Sequence, residues 1–224
     1  MGLMDGPHDL GGAPGFGPVR FGPDEPLFSH DWERKVFGLT MATSTIGLYN
    51  RDENRHARER MPVEEYRSTG YFEQWLVALE TNLTELGVLD AAVLRERVAE
   101  FLEEPGEVRG KDRPELFELF RDTLEFGASL DRPAPPPKYE VGAEVRAVQD
   151  AKPGHTRLPA YVRGHVGVIR RVDPAFVLPD TNAHHEGENP ENTYNVGFRA
   201  GDLWGKGDHE VLVDVWESYL EAVV

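Results

Sequence analysis

The sequence predicts an α+β protein: an N-terminal extended arm and helical domain followed by a small SH3-like β-barrel. Three observations predict it. Apolar residues recur at helical spacing as far as Leu124, a proline-rich run then interrupts the chain, and beyond it the apolar period falls to that of strands. The expected boundaries are an arm over 1–28, a helical domain over 29–127, a linker over 128–138 and a barrel over 139–224.

The arm follows from Gly11-Gly12, Gly15-Phe16-Gly17-Pro18 and the prolines at 23 and 26, which are incompatible with a helix or a central strand. Its apolar side chains Phe16, Val19, Phe21, Leu27 and Phe28 need a surface to bury against, on a partner or on this chain. Ser29 is the expected N-cap of a first helix through Trp32, Val36, Phe37 and Leu39. Asn50 with Glu53 forms a capping-box pattern that starts a short, highly charged helix, stopped by Pro62.

Phe72, Trp75, Leu76, Leu79, Leu83 and Leu86 mark a longer helix ending at Gly87, and Asp90 caps another that ends before Pro105. Pro114 opens a last helix, with Leu116, Leu119, Phe120 and Leu124, that closes at Gly127. Pro133 and Pro135-Pro136-Pro137 make the linker semi-rigid. Strands are expected around Val141–Val148, Tyr161–Val172, Tyr194–Phe198 and Val211–Val215, with Gly164-His165-Val166-Gly167 read as a turn.

Forty acids against 24 Lys and Arg give a formal net charge of -16, which argues against a general nucleic-acid binder. No cysteine is present, so disulfides, thiolate metal sites and a cysteine nucleophile are excluded for this chain. Neither a membrane-spanning run nor a signal-peptide pattern is apparent, and a cytoplasmic location is expected. Against this acidic background Lys152–Arg171 carries five Lys and Arg and no acid, so fixed positive charge is expected at a site for something anionic. His184-His185 and His209 offer imidazoles, but without metal-ligand spacing they read as loop surface.

Taken in order, several segments together resemble the β subunit of nitrile hydratase. They are Met4-Asp5-Gly6, His8 to Gly12, Gly15 to Val19, Asp31-Trp32-Glu33, Asp52 to Arg55, Glu59-Arg60-Met61, Tyr66 and Tyr71-Phe72, then Gly154 to Gly164, Pro179-Asp180-Thr181 with His184, Asp202 to Gly205 and Trp216 to Glu221. The resemblance implies a division of labour. An α subunit would bind Co(III) or Fe(III) in a short cysteine-rich loop with two cysteines oxidised to sulfinic and sulfenic acids, while this chain would hold no metal. Trp75, where iron-type members often have tyrosine, favours cobalt. The partner implied is that α subunit, in an αβ heterodimer or α2β2 heterotetramer, and the substrate is a small-molecule nitrile, with no nucleic acid and no membrane.

By the same resemblance, Arg55 and Arg157 are the catalytic residues, hydrogen-bonding the oxygens of the oxidised cysteines. Guanidinium suits that role because its planar fork of donors stays charged and holds an oxyanion in one orientation. His155 and Arg163 would support Arg157 from behind. Tyr71 and Trp75, four residues apart on one helix face, would line the substrate pocket with Phe37. Asn54 and Arg51 stand where the family commonly has apolar residues, and would make the pocket entrance more polar. Two alternatives are weighed: a thiocyanate hydrolase, whose corresponding regions are split between two subunits, and a non-catalytic KOW-type barrel using the cationic run to meet phosphate.

Overall fold

The computed structural model describes residues 6–18, 26–106, 113–127, 129–150 and 153–223. Met4 and Asp5 of the matched segments, Val19 and Phe21 of the arm, Ala128 of the linker and Lys152 of the cationic run lie outside them. The chain divides into two compact units, one of Pro23–Ala128 and one of Met1–Gly22 with Ser129–Val224.

The first unit is helical. It contains α1 (Asp31–Thr45), α2 (Arg51–Glu59), α3 (Val63–Ser68), α4 (Tyr71–Glu85), α5 (Ala91–Glu103) and α6 (Pro114–Phe126). The capping signals largely set these limits. Asn50 accepts from the amides of Asp52 and Glu53, each at 2.9 Å, while Glu53 accepts from the Asn50 amide at 2.7 Å, so orphan donors at the start of α2 are satisfied reciprocally. Asp90 caps α5 from its side chain alone, accepting from the amides of Ala92 and Val93. At α1 the expected Ser29 cap is displaced. The helix starts after His30 because Glu33 reaches back to the amides of both Ser29 and His30. α3 has no counterpart in the sequence reading; Pro62 ends α2 and also serves as the N-cap of this short turn.

α4 is the centre of the unit, packed against α1 and α2. Phe72, Ala78, Leu79 and Leu83 from α4 are buried with Val36, Tyr49, Ala57 and Met61. Full burial of each large side chain contributes roughly 1.5–3 kcal/mol.

The second unit is built on β1 (Glu144–Ala147), β2 (Val166–Phe176), β3 (Glu191–Arg199), β4 (Glu210–Trp216) and β5 (Leu220–Ala222), one antiparallel sheet in the order β4-β3-β2-β1-β5. Two short helices, α7 (Pro179–Asn182) and α8 (Ala200–Trp204), flank β3 in sequence. A flat sheet of this order would put β4 and β5 about 19 Å apart at ~4.8 Å per strand. The connection Glu217–Tyr219 can span only about 14 Å at ~3.3–3.6 Å per residue, so the sheet curls strongly around its core. That core includes Val145, Leu158, Ile169, Tyr194, Val196, Phe198 and Val215.

The expected barrel is not closed: among the described residues no ladder joins β4 to β5. β4 leaves the sheet through the 3-10 turn Glu217–Tyr219, and β5 then pairs with β1. The reading of Gly164–Gly167 as a turn also needs correction. Gly164, at φ +71°, turns the chain, but β2 already begins at Val166, and Gly167 is buried inside it. A Cβ on Gly167 would lie 2.6 Å from Val196 Cγ1 and 2.9 Å from the Gly197 carbonyl oxygen, so the glycine serves close strand approach.

The arm and the proline-rich run are both fastened to this unit. Asp9 accepts from the Ala160 amide, and the backbone at Gly11 and Gly12 lies against the Tyr161–Trp204 ring pair, where a Cβ would approach within 2.4 and 2.6 Å of ring atoms. At the end of the proline run the Lys138 amide donates to Tyr194 Oη and Glu217 Oε2, each at 3.0 Å, and Tyr194 donates to the same carboxylate at 2.5 Å. Burial pushes the Tyr194 phenol up to about 12. Burial pushes Glu217 up as well, but the bonds from Tyr194 and Lys138 outweigh it and leave this carboxyl below its ordinary 4.5.

The native state therefore binds fewer protons at Glu217 than the unfolded chain does. Its contribution to stability is present above about 4.5 and is lost as pH falls through the lower folded value. Glu217→Gln should cost about 1–2 kcal/mol at neutral pH and flatten the acid limb of stability. Urea midpoints measured from pH 3 to 7 check both.

Candidate functional site

In the helical unit the expected pocket residues Phe37, Tyr71 and Trp75 come together. Trp75 lies 5.9 Å from Phe37 and 5.7 Å from Tyr71 between ring centroids, and Phe28 and Phe72 complete the cluster. The spacing on α4 explains it: Tyr71 and Trp75 are one turn apart, and α1 supplies Phe37 to the same face. Tyr71 keeps 62% of its surface exposed while Phe72 is buried, so the cluster has an outer rim and an anchored base.

Arg58 was not anticipated. Its guanidinium stands 5.7 Å from the Trp75 ring centroid, and burial holds it below its ordinary basicity. Nothing local in the sequence distinguishes it from the other arginines of α2.

Arg55, also on α2, is half-buried and pairs with the buried carboxylate of Asp52 at 3.2 Å. The i,i+3 spacing places the two on one helix face, and the carboxylate limits how the guanidinium can swing. Asn54 is buried, and its backbone carbonyl accepts from Arg58 Nε at 3.4 Å. Arg51 is exposed at the first residue of α2.

In the β unit, Arg157 sits on a loop whose neighbours are pinned on every side. His155, Thr156 and Leu158 are buried, and Arg157 alone among these four residues is exposed. The His155 amide donates to His184 Nε2 at 3.1 Å, the Arg157 amide to Tyr219 Oη at 3.1 Å, and the Leu158 amide to Thr156 Oγ1 at 3.3 Å. Arg163 donates to the Leu158 carbonyl at 2.8 Å, fixing the far end. Gly154 completes the turn at φ +100°, where a Cβ would meet His184 Nε2 at 2.4 Å.

Behind the loop, Tyr219 hydrogen-bonds Asp180, and Thr156 bonds both. Burial drives the Tyr219 phenol far above its ordinary range, so it stays protonated, and burial also raises Asp180. Tyr219, Asp180 and Thr156 carried no assigned role in the sequence reading. They fall within segments quoted for the resemblance, and nothing local in those segments distinguishes them. His184, read there as loop surface, is a half-buried acceptor of this network.

The cationic run is less cationic than its sequence suggests. Arg170 is bonded to Glu210 on β4 at 2.5–3.2 Å and Arg171 to Asp173 on its own strand at 2.6 Å, so two of its arginines are neutralised by carboxylates of this unit.

Two family models match the chain: "Nitrile hydratase beta subunit, N-terminal" over residues 4–122 and "Nitrile hydratase beta subunit, C-terminal" over residues 129–222. The chain belongs to the nitrile hydratase β-subunit family. Among its relatives, the β subunit of a low-molecular weight cobalt-containing nitrile hydratase from Rhodococcus rhodochrous is 38% identical over 97% of this chain and 99% of its own length. A nitrile hydratase β subunit from Pseudomonas putida is 36% identical over 97% of this chain and 99% of its own. A cobalt-containing one from Pseudonocardia thermophila is 34% identical over 98% and 97%. Among solved structures, recombinant apo thiocyanate hydrolase from Thiobacillus thioparus aligns over 52% of this chain and all of its own, with 24% identity and a TM-score of 0.41.

Among the described residues no helix is long and apolar enough to cross a membrane.

Proposed function

We propose that this nitrile hydratase β subunit acts with a metal-binding α subunit to hydrate a small nitrile, R-CN, to the amide R-CONH2. The observation that carries the reading is the presentation of Arg157, an exposed guanidinium on a loop whose flanking side chains and amides are all anchored. Arg55, its swing limited by Asp52, is the second cation.

The donor set fits a role beside a metal and not as its ligands. The chain has no cysteine, and guanidinium groups repel a metal ion while they bind oxyanions. By the family resemblance the α subunit holds the ion, Co(III) in preference to Fe(III), on a loop with oxidised cysteines; the cobalt-containing relatives support that preference. Bound there, the ion supplies Lewis-acid activation.

Arg55 and Arg157 donate to the sulfur oxygens, keep them ionised and fix their direction. Phe37, Tyr71 and Trp75 receive the apolar part of the nitrile, and Arg58 gives this aromatic surface a cationic edge. The assembly is an αβ heterodimer or its α2β2 dimer. The curled sheet is read as an SH3-like barrel with its seam left open.

The test is co-expression of this chain with its α subunit in media supplemented with cobalt or iron, followed by quantitation of amide. Amide formation that requires both chains and tracks cobalt content is the expected result. A cobalt-loaded complex that releases no amide from any small aliphatic or aromatic nitrile refutes the proposal, and turnover of thiocyanate in its place would favour the hydrolase reading.

A further inference from the structure

We infer that Arg58 is a specificity-determining residue of the aromatic pocket, selecting nitriles that carry a carboxylate at the end remote from the reacting carbon. The inference rests on the hydratase reading proposed above and deepens it by naming a substrate class.

The position follows from helix geometry. Arg51, Asn54, Arg55 and Arg58 recur on α2 at i, i+3, i+4 and i+7, so they share one helix face. Arg58 stands about 4.5 Å along the axis beyond the proposed catalytic Arg55. Its Nε donates to the Asn54 carbonyl at 3.4 Å, and its guanidinium lies 5.7 Å from the centroid of the Trp75 ring, which Phe37 and Tyr71 flank at 5.9 and 5.7 Å. A short nitrile with its reacting end beside Arg55 and its body on these rings presents its far end to Arg58.

Its charge balance sets Arg58 apart from the other described arginines of the helical unit. Arg60, Arg97, Arg113 and Arg121 each hold a carboxylate at 2.5–2.7 Å, and Arg55 holds Asp52. Arg34, Arg51, Arg67 and Arg95 are exposed to water. Arg58 is half-buried, and among the described residues it has no ion pair and no hydrogen bond besides the long one from Nε. Burial lowers its basicity and the Arg55 cation pushes the same way, yet a guanidinium remains charged at neutral pH. Trp75 Nε1 is buried and likewise meets no acceptor among the described residues. The cluster is short of acceptors and not of donors. A half-buried cation with idle donors is completed by a carboxylate, which the planar fork can hold through two parallel N–H···O bonds. Because the chain as a whole is strongly acidic, any preference for an anionic substrate must be local in origin.

The experiment uses the assembled, metal-loaded complex and two matched substrate pairs: 4-cyanobutanoate with 4-cyanobutanamide, and 4-cyanobenzoate with 4-cyanobenzamide. The readout is the ratio of kcat/KM, anion over amide, in which losses common to both substrates cancel. The wild-type complex is expected to favour the anion in at least one pair. Arg58→Met, which keeps an unbranched stem against Trp75, should lower that ratio ~10- to 100-fold, the worth of one charge-assisted hydrogen bond. Arg58→Lys keeps the charge and should retain most of the preference, and Arg58→Gln carries the same comparison if the Met variant does not assemble.

A ratio within about twofold of wild type in both the Met and the Gln variant overturns the inference. So does a Lys variant as impaired as the Met variant, or a wild-type complex that hydrates the amides with no preference for either anion. A wild-type complex that hydrates no nitrile, neutral or anionic, sinks the hydratase reading itself, a different failure from that of the specificity residue.

Discussion

Arg157→Lys in the assembled complex should lower kcat by ~10²–10³-fold, the usual effect of removing one preorganised donor from a developing or resident oxyanion. Lysine keeps the positive charge, so the loss isolates geometry from charge. The guanidinium offers a rigid fork of donors, whereas an ammonium on a flexible stem must be immobilised at the cost of its rotamer entropy. Assembly should survive, because the bonds that the amide of residue 157 and its neighbours make in shaping this loop are kept in the variant.

Steady-state kinetics beside gel filtration and metal analysis check the prediction. Turnover within threefold of wild type in a fully metallated complex would refute the role. Arg55→Lys is a less clean probe, because it also disturbs the pairing of the buried Asp52 carboxylate.

The candidate site was legible where chemistry and local spacing coincide. Tyr71 and Trp75 share a helix face by arithmetic alone, and the arginine in Gly154-His155-Thr156-Arg157 stood out against an acidic chain. What the sequence could not display was long-range pairing. That Arg170 spends its charge on Glu210 depends on strand register, and that Tyr219 meets Asp180 depends on the curl of the sheet. Arg58 against Trp75 is of the same kind, a contact between α2 and α4 that neither helix announces.

The fold shows the same division. Helix limits followed from Asn50, Asp90, Pro114 and the glycines at 87 and 127, because caps and stops are local devices. Sheet closure is not local. Alternation marked the strands, but whether β4 pairs with β5 depends on where the chain turns between them, and the 3-10 turn at Glu217–Tyr219 left no clear trace in the sequence. Gly167 misled for a related reason. A glycine beside Gly164 reads as turn chemistry, yet in β2 it is the facing residues on β3 that require it.

Those facing residues carry the largest stability prediction. Phe198→Ala should destabilise the β unit by ~3–5 kcal/mol, the upper range for losing a buried aromatic side chain. The ring is fully buried in the core with Val196, Ile169 and Val215. A Cβ built on Gly167 would lie 3.0 Å from Phe198 Cδ1, so part of the volume beside the ring is bounded by a residue with no side chain. When the ring is removed, that wall has nothing to lean inward with, and the cavity should collapse poorly.

Phe198→Leu, which retains most of the volume, should cost about 1–1.5 kcal/mol. Urea denaturation followed by tryptophan fluorescence separates the cases through the midpoint at constant slope. A loss below 1 kcal/mol for the alanine variant would mean that β2 and β3 approach less closely than the geometry at Gly167 requires.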